Sequence, residues 1–167
     1  MLIANAPATF GALVPTDGRA QSTVALMRDM IDRAKTDPAI ISAAHSIVLL
    51  SPEMNGRHEV AAIYAWVRDR VKFVGDVFGV ETLTNPALVL RRRSGDCDDQ
   101  TMLLCALLES IGYCTRLVIA QYAGETFEHV YAQVLVNGQW LDCEPIERRG
   151  FVGYAYPDAR AIWIEPR

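Results

Sequence analysis

Apolar residues recur at helical spacing through the first half of the chain and alternate with polar ones through the second, and the period changes just after Gly112. Between Gln21 and Lys35, Val24, Met27, Ile31 and Ala34 fall on one helical face, with Ser22 placed to cap it. Asp37-Pro38 reads as a cap followed by proline at the first helical position, opening a second helix that runs to about Leu50. His45 lies within that helix and reads as a packing residue rather than a ligand or base. Ser51 to Gly56 has loop composition. A third helix follows over His58 to Val71, with Val60, Ile63, Tyr64, Val67 and Val71 along one side. Trp66 either joins the core or lines a cleft. Val71 to Val74 reads as a short strand ended by Gly75-Asp76, Phe78 to Asn85 as loop, and Pro86 to Arg92 as a short helix.

The next helix, from about Asp98 to Ile111, is apolar on most sides through Leu103, Leu104, Leu107, Leu108 and Ile111, which makes it a buried central element. Gly112 closes it in the usual left-handed position. Three alternating runs follow: Thr115 to Gln121, Phe127 to Val136 and Gln139 to Glu144. Asn137-Gly138, between the last two, is a strong signal for a two-residue hairpin. Arg148 to Asp158 reads as loop, and Ala161 to Ile164 as an added edge strand. Helices followed by a meander define an α+β domain, with a helical N-terminal half whose cysteine-bearing helix packs on an antiparallel sheet. Residues 1–18 mix Ala, Pro, Thr and Gly without a period and form an extended or partly disordered arm, leaving residues 19–167 as one domain.

Composition narrows the partners. The chain has 167 residues, 51% hydrophobic and 22% charged, with a formal net charge of -4, as expected of one globular domain and not of a nucleic-acid binder. The basic run Arg91-Arg92-Arg93 reads as a solvated helix end. Met1 to Pro15 carries no charge ahead of a short apolar stretch broken by Pro7, the pattern of neither a signal peptide nor a membrane span, so the expected location is cytoplasmic. The cysteines Cys97, Cys105, Cys114 and Cys143 form no CxxC pair and read as reduced thiols.

One of them stands apart. Cys97, in Ser94-Gly95-Asp96-Cys97-Asp98-Asp99, opens the apolar helix, where unpaired N–H groups and the helix dipole favour a thiolate. Three aspartates in the same turn oppose that effect, and the sequence leaves the balance open. A cysteine nucleophile needs a base, and a third group to orient the base. His129 begins the second alternating run. It shares a face with Tyr131, Gln133 and Leu135, opposite the apolar face of Val130, Ala132, Val134 and Val136.

Together these features resemble the transglutaminase-like cysteine enzymes, related in architecture to papain-like proteases. The resemblance runs from about Glu59 to Pro145. It rests on Trp66-Val67-Arg68-Asp69, Glu81-Thr82-Leu83, Pro86, Arg93 to Asp99, the paired leucines of the cysteine helix, Gly112, the His129 strand, and Trp140 ahead of an acid and Pro145. It implies Cys97 as nucleophile, His129 as general base and acid, and a carboxylate behind the histidine. Where the family carries Asp-Pro, this chain carries Glu144-Pro145. A two-residue turn at Asn137-Gly138 places Asp142 opposite Gln133 and Glu144 opposite Tyr131. Asp142 then lies roughly 13 Å along the strand from the position facing His129, and Glu144 about half as far, which favours Glu144. A bulge would restore Asp142.

The expected function is a thiol enzyme acting on amide bonds of a protein or peptide through a thioester, as a peptidase or deamidase before a cross-linking transglutaminase. The alternative is a catalytically idle structural or interaction module, such as a bacteriophage particle component, docking through Met1 to Pro15 and the tail Phe151 to Pro157. A third reading gathers Cys97, His129 and Asp142 or Glu144 around zinc. No cofactor, metal, nucleic acid or membrane is expected.

Overall fold

The computed structural model describes residues 12–14, 20–50, 55–76, 81–122, 128–154 and 159–166. Most of the N-terminal arm and the start of the second alternating run at Phe127 lie outside the described residues. Three helices come early: α1 (Ala20–Ala34), α2 (Pro38–Val48) and α3 (Gly56–Arg70). Ser22 lies inside α1 and does not cap it. Asp37 does cap α2, its side chain accepting from Ala39 N with Pro38 in the first turn. The loop before α3 supplies a cap the apolar pattern did not reveal: Asn55 accepts from His58 N at 3.1 Å, so the helix starts earlier than its apolar stripe. The stripe itself is buried, from Val60 through Ile63, Tyr64 and Val67 to Val71, whereas His45 is exposed. Trp66 is partly buried against the core and also borders a groove.

Short strands frame the next helices. With β1 at Ala12–Val14, β2 at Lys72–Phe73, β3 at Glu81–Leu83 and β4 at Ser94–Gly95, β1 pairs antiparallel with β3 and β2 pairs parallel with β4. Part of the N-terminal arm is therefore paired, and the segment expected to be loop before Pro86 contains a strand. Between β3 and β4 lies α4 (Pro86–Arg92), capped by Asn85 at its start and by Arg93, in a left-handed conformation with φ 58°, at its end. The cysteine helix is α5 (Cys97–Ser110), closed by Gly112 at φ +97°.

A four-stranded antiparallel sheet completes the domain: β5 (Cys114–Gln121), β6 (His129–Val136), β7 (Gln139–Cys143) and β8 (Ala161–Ile164), in the order β7-β6-β5-β8. Asn137 and Gly138 both have positive φ, as a two-residue hairpin of this twist requires. The register follows, with Val136 against Gln139 and Gln133 against Asp142. Residues 102 to 108 of α5 are all at 0% exposure, because α1, α2, α3 and α4 surround the helix on one side and β6 covers the other. A helix apolar all round must be central, and here it is the core. Among the described residues no helix is long and apolar enough to cross a membrane.

A buried ion network ties the ends of this core together. Arg28 of α1 meets Glu165 with both Nε and Nη2, at 2.8 and 2.7 Å, and reaches Glu109 of α5 with Nη1 at 2.7 Å. Thr115 donates to Glu109 and Leu117 N donates to Glu165, so both carboxylates are satisfied away from water. Removing Arg28 takes the bidentate cation from buried Glu165 and leaves Glu109 with Lys35, 3.2 Å away. Arg28→Ala should lower unfolding free energy by about 3 kcal/mol in urea titrations. Arg33→Ala, which breaks an exposed pair with Asp29 on the same helix, should cost less than about 0.5 kcal/mol. Equal losses would refute the burial argument.

Candidate active site

The turn that presents Cys97 is built by close backbone approach. Phe73 of β2 pairs with Gly95 of β4, and the chain then folds directly into α5. A Cβ on Gly95 would lie 2.5 Å from Asp99 Cβ, so only glycine lets the first helical turn close onto the strand. Asp96 caps the helix, its side chain accepting from Asp99 N at 3.1 Å. Asp99 accepts from Thr84 N at 2.7 Å and ties the segment before α4 to the same turn. Gln100 donates to Gly95 O at 3.1 Å. The result is a braced turn with Cys97 at its first helical position, where a backbone N–H has no partner within the helix.

The sheet meets this turn where β7 stops. Ladder hydrogen bonds in a two-residue hairpin join Val136 with Gln139 and then every second pair, down to Ala132 with Cys143. The next such pair would be Val130 with residue 145, but Pro145 has no N–H to donate. The Val130 edge is taken over by α5 instead. Thr101 Oγ1 donates to Val130 O at 3.2 Å, and the Val130 N–H serves the Cys97 sulfur. Cys97 and Thr101 are one helical turn apart and share that face. The sulfur therefore lies against the peptide unit that joins His129 to Val130.

His129 sits on the face expected from alternation, its ring 6.2 Å from that of Tyr131 and 6.2 Å from that of Tyr122. Its Nε2 contacts Glu144 Oε2. The Glu144 side chain is fully buried, and its other oxygen accepts from Ile146 N at 3.3 Å. Tyr64 donates to Glu144 O at 2.9 Å and pins the backbone there. Asp142 goes elsewhere. It accepts from Gln133 Nε2 at 2.7 Å, and Gln133 in turn accepts from Arg116, whose guanidinium stacks on Trp140 at 4.2 Å. Of the two acids read from sequence, the fold brings Glu144 to the histidine and keeps Asp142 in a separate cross-strand chain. A carboxylate facing Nε2 favours the tautomer that carries the ring proton there.

Electrostatics settle the balance the sequence left open. Burial, then Asp98 and Asp96, push the Cys97 thiol well above its ordinary range, and the Val130 N–H opposes them more weakly. The thiol lies 3.3 Å from Asp98 Oδ1 and donates to it. The carboxyls repel one another as well. Burial first, then Asp99 and Asp98, raise Asp96 to about 7, and burial raises Asp99 to about 6. Cys105 is lifted by burial to about 12, and Cys143 is also raised by burial, which marks both as packing thiols.

Ligand atoms of Cys97, His129 and either downstream acid do not gather within metal-binding range. The described residues place only Asp96, Cys97 and Asp98 within 4.8 Å of one another. The described residues therefore do not assemble the zinc set of the third reading, Cys97, His129 and a carboxylate. Thr101 and the Val130 amide escaped sequence reading altogether. Their only signal was proline at position 145, opposite Val130 in the register.

The raised acids carry a pH signature. Asp96 has an ordinary value of 3.8 and a folded value of about 7. The fold therefore favours its protonated form, and that contribution, complete below pH 4, is lost as pH rises towards 7. Asp96→Asn keeps a capping side chain without the charge. It should flatten the fall in urea midpoint between pH 4 and 7 and raise stability at pH 8. Parallel curves for the two proteins would show that Asp96 titrates normally.

None of the curated proteins matches this chain in sequence. Two solved structures share its fold. A candidate cysteine protease from Cytophaga hutchinsonii superposes with TM-score 0.55 at 18% identity, over 77% of this chain and 46% of its own. A candidate protease from Parabacteroides distasonis superposes with TM-score 0.57 at 14% identity, over 85% of this chain and 31% of its own. The chain thus spans less than half the length of either. The model of the transglutaminase-like superfamily matches residues 44–145, which hold the braced turn, the cysteine helix, His129 at the start of β6 and Glu144 just past β7, and the chain belongs to that superfamily.

Proposed function

We propose that this domain is a cysteine enzyme that cleaves amide bonds in a protein or peptide through a thioester on Cys97. The observation that carries the reading is a histidine held by a fully buried carboxylate on the strand whose next peptide N–H serves the sulfur. A buried acid against a histidine is costly for a domain that only packs, and the cost is understandable where the pair orients a base. Two structural neighbours bearing protease names support the same chemistry.

In this mechanism Glu144 fixes the proton of His129 on Nε2, and Nδ1 accepts the proton of the Cys97 thiol as sulfur attacks the amide carbonyl carbon. The Cys97 backbone N–H, at the open end of α5, stabilises the oxyanion. Collapse breaks the C–N bond, with His129 returning the proton to the leaving amine. Water then adds to the thioester, giving its proton to His129, and the free acid leaves as Cys97 is reprotonated. An amine in place of water would give cross-linking from the same intermediate. Because burial and Asp98 hold the resting thiol protonated, proton removal belongs to the attack itself and not to a preformed ion pair. An idle module, docking through the N-terminal arm, is the reading that the His129–Glu144 pairing disfavours.

The test uses p-nitrophenyl acetate as an acyl donor, with acetylation of each cysteine followed by mass spectrometry. Cys97 should acetylate faster than Cys114, which is exposed and serves as an internal standard. His129→Ala should slow Cys97 by about 10²- to 10⁴-fold and Glu144→Gln by at least about tenfold. Asp142→Asn should leave the rate unchanged. If Cys97 reacts no faster than Cys114, or is indifferent to His129, the reading is wrong. Asp98→Asn should lower the pH midpoint of iodoacetamide alkylation at Cys97, since it removes an anion that raises the thiol.

A further inference from the structure

We infer that the groove between α2, α3 and α4 receives an acidic amphipathic helix of a partner protein. This surface uses none of the residues assigned to thiol chemistry, and the inference does not depend on that assignment.

The groove encloses about 940 Å³. Ala39 and Ala43 of α2 form one wall, Ala62 and Ala65 of α3 the other, and Trp66 and Leu90 border it. The small side chains let another backbone approach closely, while Trp66 offers a large apolar contact. Leu50, 87% exposed, stands at the rim. A lining of this kind has the character of a helix-receiving site.

Charge selects the occupant. Arg70 and Arg93 both line the groove, and Arg91 and Arg92 lie exposed beside Arg93 at the end of α4. The one carboxylate in the lining, Asp69, is engaged by Arg68 at 2.8 and 2.9 Å. The groove therefore has an apolar body and a cationic end, on a protein whose formal net charge is -4. Arg93 stacks over Trp66 with its guanidinium 4.2 Å from the ring centroid, which orients the fork for a carboxylate in its plane. It does so from a left-handed backbone position at which glycine would be the unstrained residue. A nucleic acid would meet the two arginines of the lining and mostly small or apolar side chains, with Ser42, Ser46 and His58, along the rest, without a track of cations for its backbone. An amphipathic helix with leucines on one face and glutamates near one end matches both parts.

The probe is a fluorescein-labelled helical peptide of that design, compared with versions carrying glutamine or lysine in place of glutamate, and followed by anisotropy on the full chain. The glutamate peptide should bind saturably and weaken as salt rises, with the glutamine version about tenfold weaker and the lysine version weaker still. Arg93→Gly relieves the backbone conformation while removing the cation, so it should preserve thermal stability and still weaken binding by about tenfold. Ala43→Trp should fill the groove and abolish binding, and Cys97→Ala should leave it unchanged. Equal binding of the three peptides would overturn the proposal. So would tighter binding of a DNA duplex, or self-association of the protein that Ala43→Trp abolishes.

Discussion

Pro145 has no N–H, and much of the site's geometry follows from that. A continued β7 would have paired with Val130 and sealed the edge of the sheet. The ladder ends at Cys143 instead, and the open backbone of Val130 is satisfied by the sulfur of Cys97 and the hydroxyl of Thr101. A helix can dock on a strand edge this way only if its first turn is presented at the right height. Gly95, Asp96 and Asp99 provide that presentation, with Gly95 leaving room and the two carboxyls fixing the cap and the segment before α4. The same proline follows the acid that holds His129, so one short stretch both opens the edge and orients the ring.

The turn is also electrostatically uncomfortable. Asp96, Cys97, Asp98 and Asp99 compete for one helix terminus, and burial raises three of the four. The cap explains Asp96 and the link to Thr84 explains Asp99. Asp98 accepts from the thiol. Its position beside the sulfur makes that thiol harder to ionise than an isolated helix-start cysteine.

Much of this was legible in the residues. Alternation from His129 to Val136 gave the correct core face, and Asn137-Gly138 set the register that separates Glu144 from Asp142. The apolar girth of the cysteine helix predicted its central place. Other features were hidden because they depend on contacts distant in the chain. Nothing local marks Glu81–Leu83 as a strand, since its partner is Ala12–Val14. Ser22 has the chemistry of a cap but lies inside α1, because the helix begins before the first apolar position of its stripe. Whether dipole or acids would dominate at Cys97 turned on burial, which composition around the residue does not report.

The protonated resting thiol has a consequence for durability. Peroxides and thiol-blocking metals attack thiolates, and a sulfur kept neutral by burial and a neighbouring carboxylate is a poor target for either. Cys105 and Cys143 are sheltered by the core in the same way. The acids that make Cys97 hard to ionise therefore also shield it from oxidants, and leave Cys114, exposed at the start of β5, as the first sulfur an oxidant would meet.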